Sequence, residues 1–154
     1  MMSVLALKVP PPVVALIAAG LMWLLGYYIE TPVIELPYKL TLCYVFVSMG
    51  LLIDFFAIGQ FRQAKTTVNP LRPSNATSLV NAGIYQYTRN PMYLGNFMFL
   101  LAWLVWLGTP YGLLALVFYV VYMNQFQIKP EEKALLALFG DQYAAFCAGV
   151  RRWI

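Results

Sequence analysis

The sequence predicts an all-α integral membrane protein with about four transmembrane helices, the last two forming a helical hairpin, and a C-terminal amphipathic cytosolic helical segment. Three observations predict this fold class: the composition, the placement of apolar runs and the distribution of basic residues. Hydrophobic residues make up 62% of the 154 positions and charged residues only 10%, whereas soluble domains carry about 25% charged residues. The chain has too little charge to cover a water-facing surface, so residues 1–154 are expected to form a single membrane domain.

Two apolar runs predict two N-terminal spans within residues 1–60. They cover residues 10–28 and 40–59, each about one bilayer thickness in helical rise. No small-residue cleavage site follows the first run, so we expect a retained span rather than a signal peptide. The second run contains Asp54, and a charge at that depth suggests a buried partner, a snorkelling contact or a functional role.

A long polar stretch and a second pair of apolar runs follow. Residues 61–91 carry four basic residues and three prolines, and are too long for a simple connector. Residues 92–107 and 111–126 are apolar and are joined by the sequence GTPYG. Glycine and proline in that joint predict a tight turn, and therefore a helical hairpin.

The C-terminal tail, EEKALLALFGDQYAAFCAGVRRWI, has the pattern of an amphipathic helix. Pro130 suits the first turn of a new helix, and Glu131 and Glu132 suit its positive end. Gly140 is expected to end that helix. We expect the tail to lie along the membrane face or to fold back on the hairpin.

Topology follows from the basic residues. With four spans, nine of them fall on one side: Lys8, Arg62, Lys65, Arg72, Arg89, Lys129, Lys133, Arg151 and Arg152. Lys39 alone falls on the other side. This bias predicts that both termini and the long loop face the cytoplasm. So small a chain is typical of a prokaryotic protein of the inner (plasma) membrane.

Several kinds of site are excluded or disfavoured by composition. The chain has no histidine, which removes the Ser-His-Asp triad and every histidine-based metal site. Cys43 and Cys147 are far apart and form no CxxC pair, so neither a metal site nor a disulfide framework is expected. The net charge of +4 reflects membrane topology rather than nucleic-acid binding.

Two polar clusters are expected to meet at the open end of the hairpin, in residues 83–95 and 127–132. Arg89 has the geometry to hold a carboxylate through two parallel hydrogen bonds. Asn90 has the side chain to cap the helix that Pro91 starts. Each feature also has a purely structural interpretation: Arg89 as a topology anchor, Asn90 as a helix start and the glutamates as first-turn acids.

The segments TSLVNAGIYQYTRNPMYLGN, GTPYG, EEKALLALFGDQYAAF and VRRWI, in this order, resemble the isoprenylcysteine carboxyl methyltransferase family. That family belongs to a wider group of small membrane methyltransferases that includes phospholipid N-methyltransferases. The resemblance covers roughly residues 60–154, so residues 61–154 are expected to form a cofactor-binding methyltransferase core.

The resemblance implies that S-adenosylmethionine binds at the cytosolic membrane face. Carried over by motif, the cofactor-binding residues are Thr77, Ser78, Leu79, Val80, Tyr85, Asn90, Pro91, Met92, Tyr93, Glu131 and Glu132. Arg89 and Glu131 take the catalytic roles. The C-terminal residues Phe139, Tyr143 and Arg151 are expected to close over the cofactor.

The sequence departs from the family pattern at two positions. Asn90 stands where histidine is common. Gln127 stands where members that act on prenylcysteine have an arginine that meets the substrate, so Gln127 is the expected substrate-binding residue and a carboxylate acceptor is put in doubt.

The expected function is S-adenosylmethionine-dependent methyl transfer to a lipophilic small molecule or membrane lipid. Whether the acceptor is a carboxylate, an amine or a thiol stays open. The alternatives are an NADPH-dependent membrane reductase of the sterol-reductase type and a non-enzymatic four-helix lipid-binding or scaffold protein.

Overall fold

The structure is a computed structural model that describes residues 6–29, 34, 36–66, 69 and 71–154. These residues form five α-helices: α1 (Pro11–Tyr28), α2 (Lys39–Gln63), α3 (Pro91–Leu107), α4 (Gly112–Tyr122) and α5 (Lys129–Gly149). Two 3₁₀ turns (Pro73–Asn75 and Gly83–Gln86) lie in the loop between α2 and α3, and a π-helical segment (Met123–Ile128) joins α4 to α5. The described residues contain no β-strand, so the all-α prediction is confirmed for them.

Helices α1 and α2 are long and apolar enough to cross a membrane. Only 22% and 11% of their most apolar windows are buried inside the protein, so most of their surface needs an apolar environment outside it. Helix α2 ends at Gln63, four residues beyond the predicted limit at residue 59. Asp54 therefore lies about two and a half turns from the end of α2 rather than one and a half turns from the end of the apolar run.

Helix α2 packs antiparallel along α3. The Cys43 thiol donates to the Ala102 carbonyl oxygen, 3.4 Å away. Further along, Gly50 faces the Phe99 ring and Gly95 faces the Asp54 carboxylate so closely that an added Cβ at either glycine would overlap its neighbour. Small residues at a helix interface allow the backbones to approach, as in other membrane helix pairs.

Helix α1 lies in the groove between α3 and α4. Its core-facing residues Val14, Ala18 and Met22 are almost fully buried, and the Trp103 Nε1 of α3 donates to the Ala19 carbonyl oxygen at 3.1 Å. The predicted hairpin turn is present: Gly108 adopts φ 67° after the last residue of α3, a conformation that favours glycine. These contacts bring the first turn of α3 and the last turn of α4 to the same side.

The start of α5 agrees with the sequence prediction in part. Pro130, Glu131 and Glu132 lie in the first turn of α5, as expected, but the chain enters α5 from α4 through the π-helical segment without leaving the helical region. Proline has no N–H to donate to the carbonyl four residues earlier, and that carbonyl, of Phe126, accepts the Leu7 N–H at 3.0 Å instead. Glu131 and Glu132 thus do not sit at a free helix end. The predicted break at Gly140 is present inside α5, with φ 50° and ψ −127°.

Candidate active site

A cleft opens between the loop that precedes α3 and the helix α5. Its walls come from α2, that loop, α3, the π-helical segment and α5: Phe61, Asn69, Pro73, Ala76, Ser78, Leu79, Val80, Tyr85, Arg89, Asn90, Pro91, Met92, Tyr93, Ile128, Glu131, Glu132, Leu135, Tyr143 and Phe146. The predicted cofactor-binding residues all lie on these walls except Thr77. The structure thus brings two distant parts of the chain to one place.

The residues around Thr77 attach the loop to the end of α2. The Thr77 N–H donates to Thr66 Oγ1 at 3.0 Å, and the Ser78 hydroxyl donates to the Ala64 carbonyl oxygen at 2.9 Å. These two bonds use polar groups that the motif assigned to the cofactor. Thr77 is placed as an anchor of the loop.

Tyr93 and Glu131 form the central polar pair. The Tyr93 hydroxyl donates to Glu131 Oε2 at 2.7 Å, and Gln127 Nε2 reaches the same hydroxyl at 3.4 Å. Glu131 is half-buried, and burial raises the pKa of its carboxyl to about 7, despite the opposing hydrogen bond from Tyr93. Gln127 is only 2% exposed and is not on the cleft wall; it reaches the cleft through Tyr93.

Glu132 joins two arginines. Arg152 donates to both of its carboxylate oxygens, from Nε at 3.0 Å and from Nη2 at 2.7 Å. Arg89 Nη2 lies 3.2 Å from Glu132 Oε1, and Arg89 Nη1 also donates to Cys147 Sγ. The hydrogen bond to Glu132 raises the pKa of Arg152. This fork geometry is the strong form of ion pair.

The last residues of the chain fasten the cleft from outside. Asn90 Nδ2 donates to the Arg152 carbonyl oxygen at 2.8 Å, and the Arg89 N–H donates to the Arg151 carbonyl oxygen at 3.0 Å. The Trp153 Nε1 donates to Asn124 Oδ1 at 3.2 Å. We call residues 151–153 the C-terminal strap.

Two residue roles predicted near the strap need correction. Asn90 occupies the N-cap position of α3 but makes no side-chain cap; its amide NH₂ group donates to the Arg152 carbonyl oxygen of the strap. Arg151 is exposed, and the side chain that reaches the site is that of Arg152. The sequence marks the pair Arg151-Arg152 but contains no signal that separates the two.

Aromatic rings form the apolar walls. Tyr143 and Phe146 of α5 lie with ring centroids 6.1 Å apart, and Phe61 meets Tyr85 edge to face at 5.6 Å. Burial raises the pKa of Tyr85 and Tyr143, so both stay neutral near pH 7. Tyr143 lines the cleft as expected, whereas Phe139 does not. Phe61 and Phe146 were not predicted.

Comparison with known protein families identifies the chain. The model of the phospholipid methyltransferase family matches residues 38–142, which is more than half of the sequence. The chain belongs to the phospholipid methyltransferase family. The matched residues run from the start of α2 to the second half of α5. They include every predicted catalytic, cofactor-binding and substrate-binding residue, whereas Tyr143 and Arg151, expected to close over the cofactor, lie beyond them.

One relative among curated proteins is an uncharacterized protein of Haemophilus influenzae (strain ATCC 51907 / DSM 11121 / KW20 / Rd). It is 43% identical over 63 residues, which are 41% of this chain and 100% of the relative. No solved structure matches the chain.

Membership in the phospholipid methyltransferase family confirms the resemblance to the wider group of small membrane methyltransferases. Together with the two long apolar helices, it identifies a membrane protein of a methyltransferase family. It does not single out the isoprenylcysteine carboxyl methyltransferases within that group.

Proposed function

We propose that this protein transfers a methyl group from S-adenosylmethionine to a lipophilic acceptor at the cytosolic face of the membrane. The observation that carries the proposal is the cleft in which the Tyr93–Glu131 pair meets aromatic walls, within residues that match a methyltransferase family. The four spans, the cytoplasmic termini and a prokaryotic inner membrane belong to the same proposal.

The chemistry of the wall residues fits S-adenosylmethionine. The molecule carries a sulfonium and an ammonium, both cationic, together with a carboxylate and a flat adenine. Glu131 supplies a negative charge for a cation, and the rings of Tyr143 and Phe146 supply flat apolar surfaces. Arg89 Nε is buried and has no hydrogen-bond partner among the described residues, so it is available for a carboxylate.

When bound, the cofactor supplies a methyl group already activated by the positive sulfur. The protein is left with binding, orientation and exclusion of water. In this proposal Glu131 holds the cationic part, Tyr93 fixes the Glu131 carboxylate, and Arg89 holds the anionic part. Gln127 keeps the Tyr93 hydroxyl in place. Because Gln127 does not line the cleft, its role in this proposal is indirect and differs from the substrate contact that the motif suggests.

The cleft is narrow in this conformation. Its cavity volume is ≈ 80 Å³. The C-terminal strap lies outside the cleft wall and is held by hydrogen bonds with Asn90, Glu132 and Asn124, and by packing of Trp153 against Phe97.

The test is calorimetric titration of the detergent-purified protein with S-adenosylmethionine, and separately with NADPH. Replacing Glu131 by Gln removes a charge-assisted contact worth about 1.5 to 3 kcal/mol, so Glu131→Gln should bind S-adenosylmethionine roughly ten- to over a hundredfold more weakly. Tyr93→Phe should weaken binding by a smaller factor. Asp141→Asn removes an acid from the exposed part of α5 and serves as the matched control.

Saturable binding by the wild type and Asp141→Asn, with the expected loss in Glu131→Gln, supports the proposal. A well-folded protein that binds no S-adenosylmethionine contradicts it. Binding of NADPH instead would favour a reductase.

A further inference from the structure

The guanidinium of Arg89 is held by two side chains. Arg89 Nη2 lies 3.2 Å from Glu132 Oε1, and Arg89 Nη1 donates to Cys147 Sγ. The Arg89 side chain is only 13% exposed, so the two contacts hold a group that has little access to water. A guanidinium carries its five N–H donors in one rigid plane, and two contacts on that plane fix the direction of the remaining donors.

The two contacts come from different parts of α5. Gly140, with φ 50° and ψ −127°, breaks the helix into two segments. Glu132 lies on the segment before the break, and Cys147 lies on the segment after it. Arg89 itself belongs to the loop that precedes α3. Its side chain therefore joins three parts of the chain, and Cys147 is the contact that the second segment of α5 contributes.

Cys147 lies behind the wall of the cleft and does not line it. It is partly buried and forms no disulfide. Besides Arg89, its thiol interacts with the hydroxyl of Tyr143, four residues earlier on α5. Arg89 and Tyr143 both line the cleft. Cys147 is thus placed to act on the cleft through the residues that form its wall.

The third nitrogen of the Arg89 guanidinium has a different environment. Arg89 Nε is buried and has no hydrogen-bond partner among the described residues. A buried N–H group without a partner lowers stability, and in a native structure it calls for an explanation. A carboxylate is the partner that best fits a guanidinium, and S-adenosylmethionine carries one.

We propose that Cys147 is a positioning residue: together with Glu132 it clamps the Arg89 guanidinium across the break at Gly140, so that Arg89 Nε is left for the carboxylate of the cofactor. The inference rests on the proposed function and adds to it the residue that orients Arg89. With Glu132 alone, the guanidinium is free to turn about a single contact. The sulfur is a weak acceptor, but its donor is charged, and it supplies the second contact that prevents this rotation.

The first experiment compares S-adenosylmethionine with decarboxylated S-adenosylmethionine, which lacks only the carboxylate. Calorimetric titration of the full-length, detergent-purified protein gives the ratio of the two affinities. We expect the wild type to bind S-adenosylmethionine about tenfold more tightly than the decarboxylated analogue. Because the analogue also has a higher net positive charge, the ratio is compared between variants.

Cys147→Ala should lower this ratio to within about twofold of the ratio in Arg89→Met, while its affinity for the decarboxylated analogue stays close to that of the wild type. Cys147→Ser keeps an acceptor at the position and should keep the ratio. The matched control is Cys43→Ala, which removes the thiol on α2 that donates to the Ala102 carbonyl oxygen, and it should also keep the ratio. A purely structural role would weaken binding of both ligands equally, so an unchanged ratio in Cys147→Ala overturns the proposal.

A second experiment tests the clamp without any ligand. Thermal unfolding in a mild detergent measures the effect of Cys147→Ala in the wild type and in Arg89→Met. If the sulfur acts through Arg89, Cys147→Ala should lower Tm by about 2 to 4 °C in the wild type and should have no further effect in Arg89→Met. Equal shifts in the two backgrounds overturn the proposal.

The two experiments separate this inference from the proposed function. If the wild type binds S-adenosylmethionine but the affinity ratio does not depend on Cys147, the proposed function stands and the assignment of Cys147 fails. If Cys147 and Arg89 are coupled in thermal unfolding but S-adenosylmethionine does not bind, the methyltransferase proposal fails. The assignment of Arg89 Nε to the cofactor then fails with it, whereas the clamp across Gly140 stands.

Discussion

Tyr93 lines both the cleft and a second cavity, which lies among the start of α1, the second half of α2 and the first turns of α3. The acidic side chains of the two cavities differ in whether they have partners. In the cleft, Glu131 is held by Tyr93, and Glu132 is held by Arg89 and Arg152. In the second cavity, Asp54 Oδ1 has no partner among the described residues. An acid that only shapes a site is expected to be paired within the protein, because an unpaired buried charge lowers the free energy of unfolding. An acid that binds a ligand is expected to lack a partner until the ligand is present.

The largest effect that tests this comparison is on stability. Glu132→Ala leaves Arg89 and Arg152 without their shared carboxylate, and the Arg89 side chain is only 13% exposed. Loss of one partner from a largely buried pair should lower the free energy of unfolding by about 3 kcal/mol. Denaturant titration in a mild detergent measures it, with the exposed neighbour Lys133→Ala as control.

The same measurement on Asp54→Asn gives the other half of the comparison. Removing a charge that has no partner should leave the free energy of unfolding unchanged or raise it. If Asp54→Asn destabilises the protein as much as Glu132→Ala does, the contrast between the two cavities is wrong, and Asp54 has a structural role.

The next effect on stability concerns the close contact between Gly95 of α3 and the Asp54 carboxylate of α2. Gly95→Ala puts a Cβ into the Asp54 carboxylate, and overpacking of this kind costs about 1 to 3 kcal/mol. Denaturant titration in a mild detergent measures this loss of stability.

Gly59→Ala is the matched control for Gly95→Ala. Gly59 is also a helical glycine, on α2, but an added Cβ there meets no atom within 4 Å. Alanine should therefore stabilise α2 by about 0.5 to 1 kcal/mol. Equal effects at the two glycines would show that Asp54 and Gly95 do not constrain each other.

The sequence predicted those parts of the fold that depend on local composition. The apolar runs anticipated α1, α2 and α3, and GTPYG anticipated the turn at Gly108. The sequence correctly placed Pro130 in the first turn of a helix, but it did not predict that α4 continues into that helix. The Phe126 carbonyl, which Pro130 leaves without its helical donor, accepts from Leu7, more than a hundred positions away. No pattern in residues 123–130 contains that information.

In the candidate site, too, the sequence predicted what local motifs determine and missed what contacts between distant residues determine. The motif anticipated that residues 78–93 and 131–132 would lie together. It did not anticipate that Asn90 would donate to the strap, or that Arg152 rather than Arg151 would reach Glu132. For Asp54 the sequence left a buried partner, a snorkelling contact and a functional role open. That its Oδ1 has no partner among the described residues is visible only once α3 is packed against α2.

The smallest effect concerns the pH dependence of cofactor binding in the cleft. Because burial raises the pKa of Glu131 to about 7, the carboxyl is largely protonated near pH 6 and largely ionised near pH 8. Only the ionised form attracts a cation, so affinity for S-adenosylmethionine should fall about tenfold from pH 8 to pH 6.

Without the cofactor, the pH dependence of folding stability has the opposite sign to that of cofactor affinity. Between its ordinary pKa of 4.5 and 7 the folded protein holds the proton more tightly than the unfolded chain, so stability falls as pH rises through this window and levels off above it.

Calorimetry at about pH 6, 7 and 8 checks the dependence, with Glu131→Gln as the reference. The amino group of S-adenosylmethionine itself titrates near the upper end of this range, so the informative quantity is the difference between the wild type and Glu131→Gln. Asp54→Asn should follow the wild type, because Asp54 faces the second cavity and not the cleft. If the wild type and Glu131→Gln show the same pH profile, Glu131 does not contact the cationic part of the cofactor. The role proposed for Glu131 in the cleft would then be wrong.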